Sequence, residues 1–154
     1  MMPNVIEDIR TVIVRILEDW AMMLVEETEP QTSIFELEEP FFLSEVKFKG
    51  VVSGRYCVVC QEQFGRNLAN NLLGMEEEID EEQIMDALKE MINVLSGNLL
   101  TDTYGADHVF ILTSPQVRLA GLPEVEEMFS RPVFCYLGED NPVAISFALE
   151  GVPA

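Results

Sequence analysis

Basic residues are scarce in this sequence: nine Lys and Arg stand against 28 Asp and Glu, which gives a formal net charge of −19. Nucleic acids and anionic membrane surfaces attract Lys and Arg, so this balance argues against both as partners. The carboxylates are scattered instead of forming a D-x-D-x-D-G loop, so no calcium-binding motif is present. The excess of acid therefore indicates a well-solvated surface or a basic partner.

Long hydrophobic runs are also absent, because no apolar stretch approaches the roughly 20 residues that a membrane-spanning helix needs. Glu7 and Asp8 precede the apolar stretch at the N-terminus, and no cleavage site follows, so we expect no secretory signal and a cytoplasmic protein. Hydrophobic residues make up 48% of the 154 positions, too many for a disordered chain. We expect a single domain over residues 1–154.

Histidine and cysteine, the usual residues of nucleophilic and metal sites, are few. His108 is the only histidine, and no Ser or Cys stands near it in a nucleophile setting, so a catalytic triad is not indicated. Cys57 and Cys60 form a C-x-x-C, but the surrounding RYCVVC has the pattern of a strand, where residues three apart point to opposite faces. A redox motif would begin a helix, and zinc would need further ligands. We interpret these cysteines and Cys135 as buried structural residues.

Helical periodicity is strongest in three segments. Apolar residues at helical spacing predict a long amphipathic helix over residues 4–28, capped by Asn4. A shorter helix is predicted over 62–73, stopped by Gly74. The third covers 80–101, where an Asp followed three residues later by a Gln predicts a capping box.

The remaining segments are short and rich in Val, Phe and Tyr, which is typical of strands. Ser53–Gly54 is predicted to be a hairpin turn, residues 138–141 a hairpin loop, and 114–124 a connection without strand structure. Pro142 is expected at the beginning of its strand or on an edge. The predicted strands lie near residues 33–38, 44–52, 55–61, 108–113, 132–138 and 142–149.

This order of elements predicts an α+β fold with a mainly antiparallel sheet and two long helices packed on one face. A unit of one helix followed by strands occurs twice along the chain. The repetition indicates an internal helix–strand–strand duplication.

The third helix carries the most informative pattern. Asp86, Glu90, Asn93 and Gly97 follow one another at spacings of four, three and four, which places them within roughly 60° on a helix surface. A carboxylate and a carboxamide in E-x-x-N therefore share one stripe. The opposite stripe is apolar, as a core requires: Ile84, Leu88, Met91, Ile92, Leu95 and Leu99.

The pattern resembles the active helix of the CheC/CheX/FliY family of chemotaxis phosphatases, and CheX-like members most closely. Pro115 lies near the position of a proline that follows the family motif. The length and the helix–strand repeat also fit, so the resemblance covers essentially the whole chain. The residues that carry it are Asp86, Glu90, Asn93, Gly97, Asn98 and Thr101.

The resemblance implies a protein phosphatase that removes the phosphoryl group from the phosphoaspartate of a CheY-like response regulator. In that case Glu90 would engage the active-site lysine of the receiver domain, and Asn93 would orient the attacking water. Asp86, Gly97 and Pro115 would be accessory or partner-binding positions. The resemblance also implies a homodimer with no cofactor of its own, because the receiver would supply Mg²⁺.

Plainer interpretations of the same residues stay open at this point. Glu90 and Asn93 would suit an ordinary solvated helix face, Gly97 a helix-packing contact, and Pro115 a loop stop. The whole protein could be a non-catalytic adaptor of the same fold that binds a receiver or a flagellar-switch protein, or a generic acidic interaction module. A buried Asn93 would favour the adaptor.

Overall fold

A seven-stranded antiparallel sheet is the centre of the part of the chain that the computed structural model describes, residues 5–74 and 78–150. The strand order is β1-β6-β7-β3-β2-β4, and β5 also pairs with β2. This architecture confirms the predicted α+β class. The elements in chain order are α1 (Val5–Arg15), β1 (Val25–Thr28), β2 (Phe41–Lys49), β3 (Ser53–Cys60), α2 (Glu62–Leu73), α3 (Glu81–Tyr104), β4 (Ile111–Leu112), β5 (Gln116–Ala120), α4 (Leu122–Met128), β6 (Val133–Gly138) and β7 (Asn141–Glu150).

The sheet order has the symmetry that a duplication would leave. Each half of the chain contributes a helix, a short strand and a hairpin: α1, β1 and β2–β3 in the first half, and α3, β5 and β6–β7 in the second. The inner strands β3 and β7 pair at the centre. The short strand of each half pairs with the hairpin of the other, β1 with β6 and β5 with β2. The two halves are therefore interlocked across a pseudo-twofold axis.

One face of the sheet, the helical face, packs against α1, α2 and α3 and forms the larger core. Alternate residues of each strand point into this core, because side chains in a strand alternate between the two faces. The sheet residues that line it include Phe42, Val46, Tyr56, Val58, Cys60, Tyr136 and Ile145.

The other face, the outer face, is covered in part by α4 and by the connection that contains Phe35. Cys57 belongs to this smaller core, whereas Cys60 belongs to the core under the helices. The two residues therefore lie on opposite faces of β3, as the sequence predicted. Both thiols are free.

The first predicted helix, 4–28, is too long. The α-helix ends at Arg15, a π-helical turn covers Ile16–Trp20, and the chain then reverses at Met22, whose φ is 57°. Residues 25–28 form β1 and pair with β6, more than a hundred residues along the chain. Helical spacing in the sequence cannot reveal such a distant pairing. Asn4, the predicted cap, lies outside the described residues.

Three further segments differ from the prediction. Residues 33–38 are not a strand, because a 3₁₀ turn over Thr32–Ile34 leads into bends that bury Phe35 on the outer face. The connection 114–124 does contain a strand, β5, and the start of α4. Only the last part of 108–113 is a strand, as β4. Short edge strands depend on their neighbour for hydrogen bonds, so their sequence signal is weak.

Both predicted hairpins are present, with one turn displaced. The β2–β3 turn occupies residues 50–52, and Gly54 lies inside β3, where an added Cβ would collide with the Ala148 carbonyl and come within 2.8 Å of the Phe48 ring. In the β6–β7 hairpin, Glu139 and Asp140 have φ values of 51° and 65°, as a two-residue turn with both residues left-handed requires.

Candidate functional site

Caps define both ends of the helix α3, which carries the motif residues. The Asp80 carboxylate accepts a hydrogen bond from the Gln83 backbone N–H at 2.8 Å, and the Asp80 N–H donates to the Gln83 side chain at 3.0 Å. The predicted capping box is confirmed. The helix runs to Tyr104, three residues beyond the predicted end, and stops at Gly105 with a φ of 92°.

The motif residues lie on the side of α3 that faces away from the core. Asp86 and Glu90 are exposed, and Asn93 and Gly97 are partly exposed. Within the described ranges, no hydrogen bond or ion pair engages the side chains of Asp86, Glu90 or Asn93. The acid and the amide are therefore available to a binding partner. The opposite stripe is buried as expected: Ile84, Leu88, Met91, Ile92, Leu95 and Leu99.

Gly97 does not serve helix packing. An added Cβ at this position would meet no atom within 4 Å, so the packing interpretation of this glycine is wrong. A glycine in a helix interior lowers helix stability by about 1 kcal/mol relative to alanine. In the folded chain, Gly97 leaves the surface of α3 without a side chain one turn beyond Asn93.

The C-terminal half of α3 is tied to α1 by a residue that the sequence reasoning missed. The Arg15 guanidinium donates to the Asn98 side chain at 3.4 Å and pairs with Asp102 at 3.3 Å. The Asn98 amide in turn donates to the Val94 carbonyl at 2.8 Å. The Asn98 side chain is therefore engaged within α3 itself, which continues beyond it to Tyr104. Arg15 lies more than 80 residues from its partners, so no spacing rule could have found it.

The N-terminal half of α3 is tied to α2, and the two helices approach closely at Gly65. An added Cβ there would lie 2.5 Å from Ile84 Cγ2, so only glycine allows this approach. The Arg66 guanidinium also donates to the Ile79 carbonyl at 2.7 Å. The contact leaves a groove of about 220 Å³ between the helices, lined by Leu72, Leu73, Gln83, Asp86, Ala87 and Glu90.

Pro115 is partly exposed and immediately precedes β5, on the connection from β4. Because proline lacks a backbone N–H, it suits the residue before a strand and ends the irregular connection there. This position agrees with the loop-stop interpretation. Its assignment to the partner-binding surface stays a prediction.

The three cysteines are buried, and their environment does not activate them as nucleophiles. Burial, together with the Glu45 carboxylate, raises the pKa of the Cys57 thiol to about 11. Burial raises the pKa of Cys135 to about 12 and that of Cys60 further upward. A reactive thiol needs the opposite shift. His108 is exposed in a loop. Over residues 5–74 and 78–150, no three His, Cys, Asp or Glu residues are grouped as a metal-binding cluster.

The described site therefore offers positioning groups. A carboxylate such as Glu90 forms charge-assisted hydrogen bonds with a cationic partner. An amide such as Asn93 both accepts and donates hydrogen bonds and does not titrate. One helical turn separates the two, which puts their Cβ atoms about 5–6 Å apart and lets both enter one small cleft. In the described part of the chain, no helix is long and apolar enough to cross a membrane.

Solved structures with the same fold are chemotaxis proteins. A CheX from Desulfovibrio desulfuricans superposes with a TM-score of 0.69 at 16% identity, over 96% of this chain and 100% of that chain. The CheX of the CheX-CheY-BeF3-Mg²⁺ complex from Borrelia burgdorferi gives 0.70 at 15% identity, over 95% and 97%. A CheC-like protein from Shewanella gives 0.63 at 15%, over 98% and 100%. The fold is thus that of the CheX and CheC-like proteins.

A family model described as chemotaxis phosphatase CheX matches residues 42–137, which is more than half of the chain. The chain belongs to the CheX family. A search of curated proteins finds no match.

Proposed function

We propose that this protein is a phosphatase that accelerates hydrolysis of the phosphoaspartate of a CheY-like response regulator. The observation that carries the proposal is the exposed pair on α3: Glu90 and Asn93 project from one stripe, and within the described chain neither is engaged by another side chain. Membership of the CheX family supports a chemotaxis phosphatase role. The Borrelia complex supports a CheY-like partner.

In the proposed mechanism, Asn93 orients the water that attacks the phosphorus. Phosphoaspartate is an acyl phosphate and already reactive, so most of the remaining catalysis is positioning and stabilisation of charge. The amide carbonyl accepts a hydrogen bond from the water and aligns it opposite the leaving carboxylate. The reaction breaks the P–O bond to the aspartate and forms a bond from the water oxygen to phosphorus, releasing inorganic phosphate.

Glu90 engages the lysine of the receiver's active site and so fixes the depth at which Asn93 enters. A carboxylate–ammonium hydrogen bond is stronger than a neutral one, especially once the interface excludes water. The receiver would supply Mg²⁺ and its lysine, so this chain would need no cofactor of its own. Asp86, one turn before Glu90, extends the same acidic stripe as an accessory contact.

If the protein were a non-catalytic adaptor, the Asn93 side chain would be expected to be buried. The partial exposure of Asn93 on an open helix face supports the phosphatase instead. The two functions differ in one measurable respect, because an adaptor would bind the receiver without changing the lifetime of its phosphoryl group.

The test is a decay assay with purified protein and Mg²⁺. Each response regulator of the host is phosphorylated, and loss of the phosphoryl group is followed with and without the protein. We expect accelerated decay for at least one regulator. Glu90→Ala is expected to raise the concentration needed for half-maximal acceleration, because it removes a contact to the receiver. Unchanged decay of every cognate receiver would exclude the catalytic function.

We also propose that the protein is a cytoplasmic homodimer. The sheet has two ends. At one end β1 exposes the carboxylates of Glu26 and Glu27, and charged side chains on an edge strand discourage pairing with another strand. At the other end, Val109 lies beside β4 and is 82% exposed. Ile111 lies in β4 and is 71% exposed. Exposed apolar residues at a strand edge favour association, so the β4 end is the proposed contact between copies.

A further inference from the structure

The groove between α2 and α3 is an apolar recess directly beside the proposed catalytic stripe. Leu72 and Leu73 form one wall and Ala87 lies at the other, while the side chain of Leu73 is 50% exposed. Glu90 belongs to both the groove and the stripe. A volume of about 220 Å³ is below the roughly 300–1,000 Å³ of small-molecule sites, which suits one or two side chains of a protein partner.

The described walls of the groove are positioned by the packing of α2 against α3. The close contact of Gly65 with Ile84 fixes the spacing of the two helices. At the end of α2, the Asn71 amide donates to the Ala21 carbonyl at 2.8 Å and to the Met22 carbonyl at 3.3 Å. These two hydrogen bonds fix the end of α2 against the chain that follows α1. Binding to a preformed recess does not cost the conformational entropy of ordering its walls.

The rim of the groove is acidic. Asp86 and Glu90 are both exposed, and neither has an ion pair in the described part of the chain. A partner that fills the recess with an apolar side chain would bring its neighbouring residues against these two carboxylates. A basic neighbour gains a charge-assisted contact with Asp86, beside the lysine contact proposed for Glu90, whereas an acidic neighbour is repelled.

We propose that this groove is the docking site that selects the receiver, and that its occupant is an exposed apolar side chain next to a basic residue on the receiver surface. The inference rests on the proposed function, because the groove shares Glu90 with the catalytic stripe. The recess would anchor the receiver while Asn93 enters its phosphorylation site. Receivers without an apolar–basic pair in that position would be poor substrates.

The experiment measures binding and decay separately. Binding uses the receiver activated with beryllium fluoride and Mg²⁺, and decay uses the phosphorylated receiver. Leu73→Asp is expected to raise the dissociation constant about tenfold, since the apolar anchor is lost and charge enters the recess. In the decay assay, Leu73→Asp is expected to raise the concentration needed for half-maximal acceleration more than it lowers the maximal acceleration. Asp86→Asn is expected to weaken binding about threefold and to flatten its dependence on salt.

Leu37→Asp is the matched control. Leu37 is 44% exposed, lies in the connection between β1 and β2, and receives the same substitution and charge as the Leu73 variant. It is expected to bind like the wild type.

The outcomes distinguish this proposal from the phosphatase itself. Wild-type-like binding by Leu73→Asp overturns the docking site and leaves the phosphatase intact. Groove-dependent binding without accelerated decay supports the docking site and excludes the phosphatase. Failure of the wild type to bind any activated receiver overturns the docking site.

Discussion

Two glycines on neighbouring helices show how one residue type serves opposite purposes. Gly65 is required for packing, because a Cβ there would press into Ile84. Gly97 has open space around it and is unnecessary for the fold. Its position one turn beyond Asn93 agrees with the proposal that a second protein lies against α3. The amide at position 93 was the strongest signal in the sequence, and the open space at Gly97 supports a surface reserved for contact.

The two glycines give opposite predictions for stability. Gly97→Ala is expected to raise the free energy of unfolding by about 0.5–1 kcal/mol, because alanine is the better helix former. Gly65→Ala is expected to lower it by about 1–3 kcal/mol through overpacking against Ile84. Urea unfolding of both variants measures the difference. A destabilised Gly97→Ala would mean that the open face at this position is filled in the folded protein.

At the level of single residues, the sequence identified the motif side chains but not their surroundings. The spacing of Asp86, Glu90 and Asn93 on one helix is a local property, so periodicity places them correctly on the solvent side. The support from Arg15 and the apolar wall at Leu73 arise from other helices. Such contacts depend on how helices pack, which no local pattern specifies.

Among the elements, α3 is the one whose position determines the site, and its capping box sets where it begins. The Asp80 carboxylate satisfies the Gln83 N–H, one of the four donors that a helix start leaves without an intrahelical partner. Acidic residues in the first turn, Glu81 and Glu82, also suit the positive end of the helix dipole.

Removal of the cap gives a prediction for this element. Asp80→Ala is expected to lower the free energy of unfolding by about 1 kcal/mol, because the first turn of α3 loses its capping acceptor. Glu82→Ala, an exposed residue in the same turn, is the control and is expected to change stability by less than about 0.5 kcal/mol. Equal losses in thermal or urea unfolding would contradict the role of the cap.

The elements that the sequence predicted well are those defined by local chemistry. The capping box of α3, the glycine that stops α2, the periodicity of both helices and the strand-forming residues of β6 and β7 are all visible in short windows of sequence. The missed strands, β1 and β5, are short, and each pairs with a hairpin from the other half of the chain. Their strand conformation is stabilised by that distant pairing, which overrides the helical spacing of residues 21–28.

At the scale of the whole molecule, the interlocked halves leave the sheet with two unequal ends. The β1 end is short and acidic, and the β4 end exposes Val109 and Ile111. A chain with a net charge of −19 repels its own copies at long range, so association must come from an apolar contact. Exposed apolar residues flank both edge strands, Leu24 beside β1 and Val109 beside β4, but β4 itself exposes the apolar Ile111 whereas β1 exposes Glu26 and Glu27.

The oligomeric state tests this assignment. Ile111→Lys is expected to shift the protein from dimer to monomer, because a charge in an apolar edge contact opposes association. Glu26→Lys, at the other end of the sheet, is the control and is expected to remain dimeric. Size-exclusion chromatography with light scattering gives the masses. If the Ile111→Lys protein remained dimeric, the β4 end would not be the contact between copies.

The most direct test of the account compares two amides on one helix. Asn93 is free of side-chain partners in the described structure, whereas the Asn98 side chain is engaged by Arg15 and Val94. With a phosphorylated cognate receiver and Mg²⁺, Asn93→Ala is predicted to abolish accelerated decay while still binding the receiver. Asn98→Ala is predicted to retain the acceleration. Accelerated decay by Asn93→Ala at the wild-type rate would contradict the central claim.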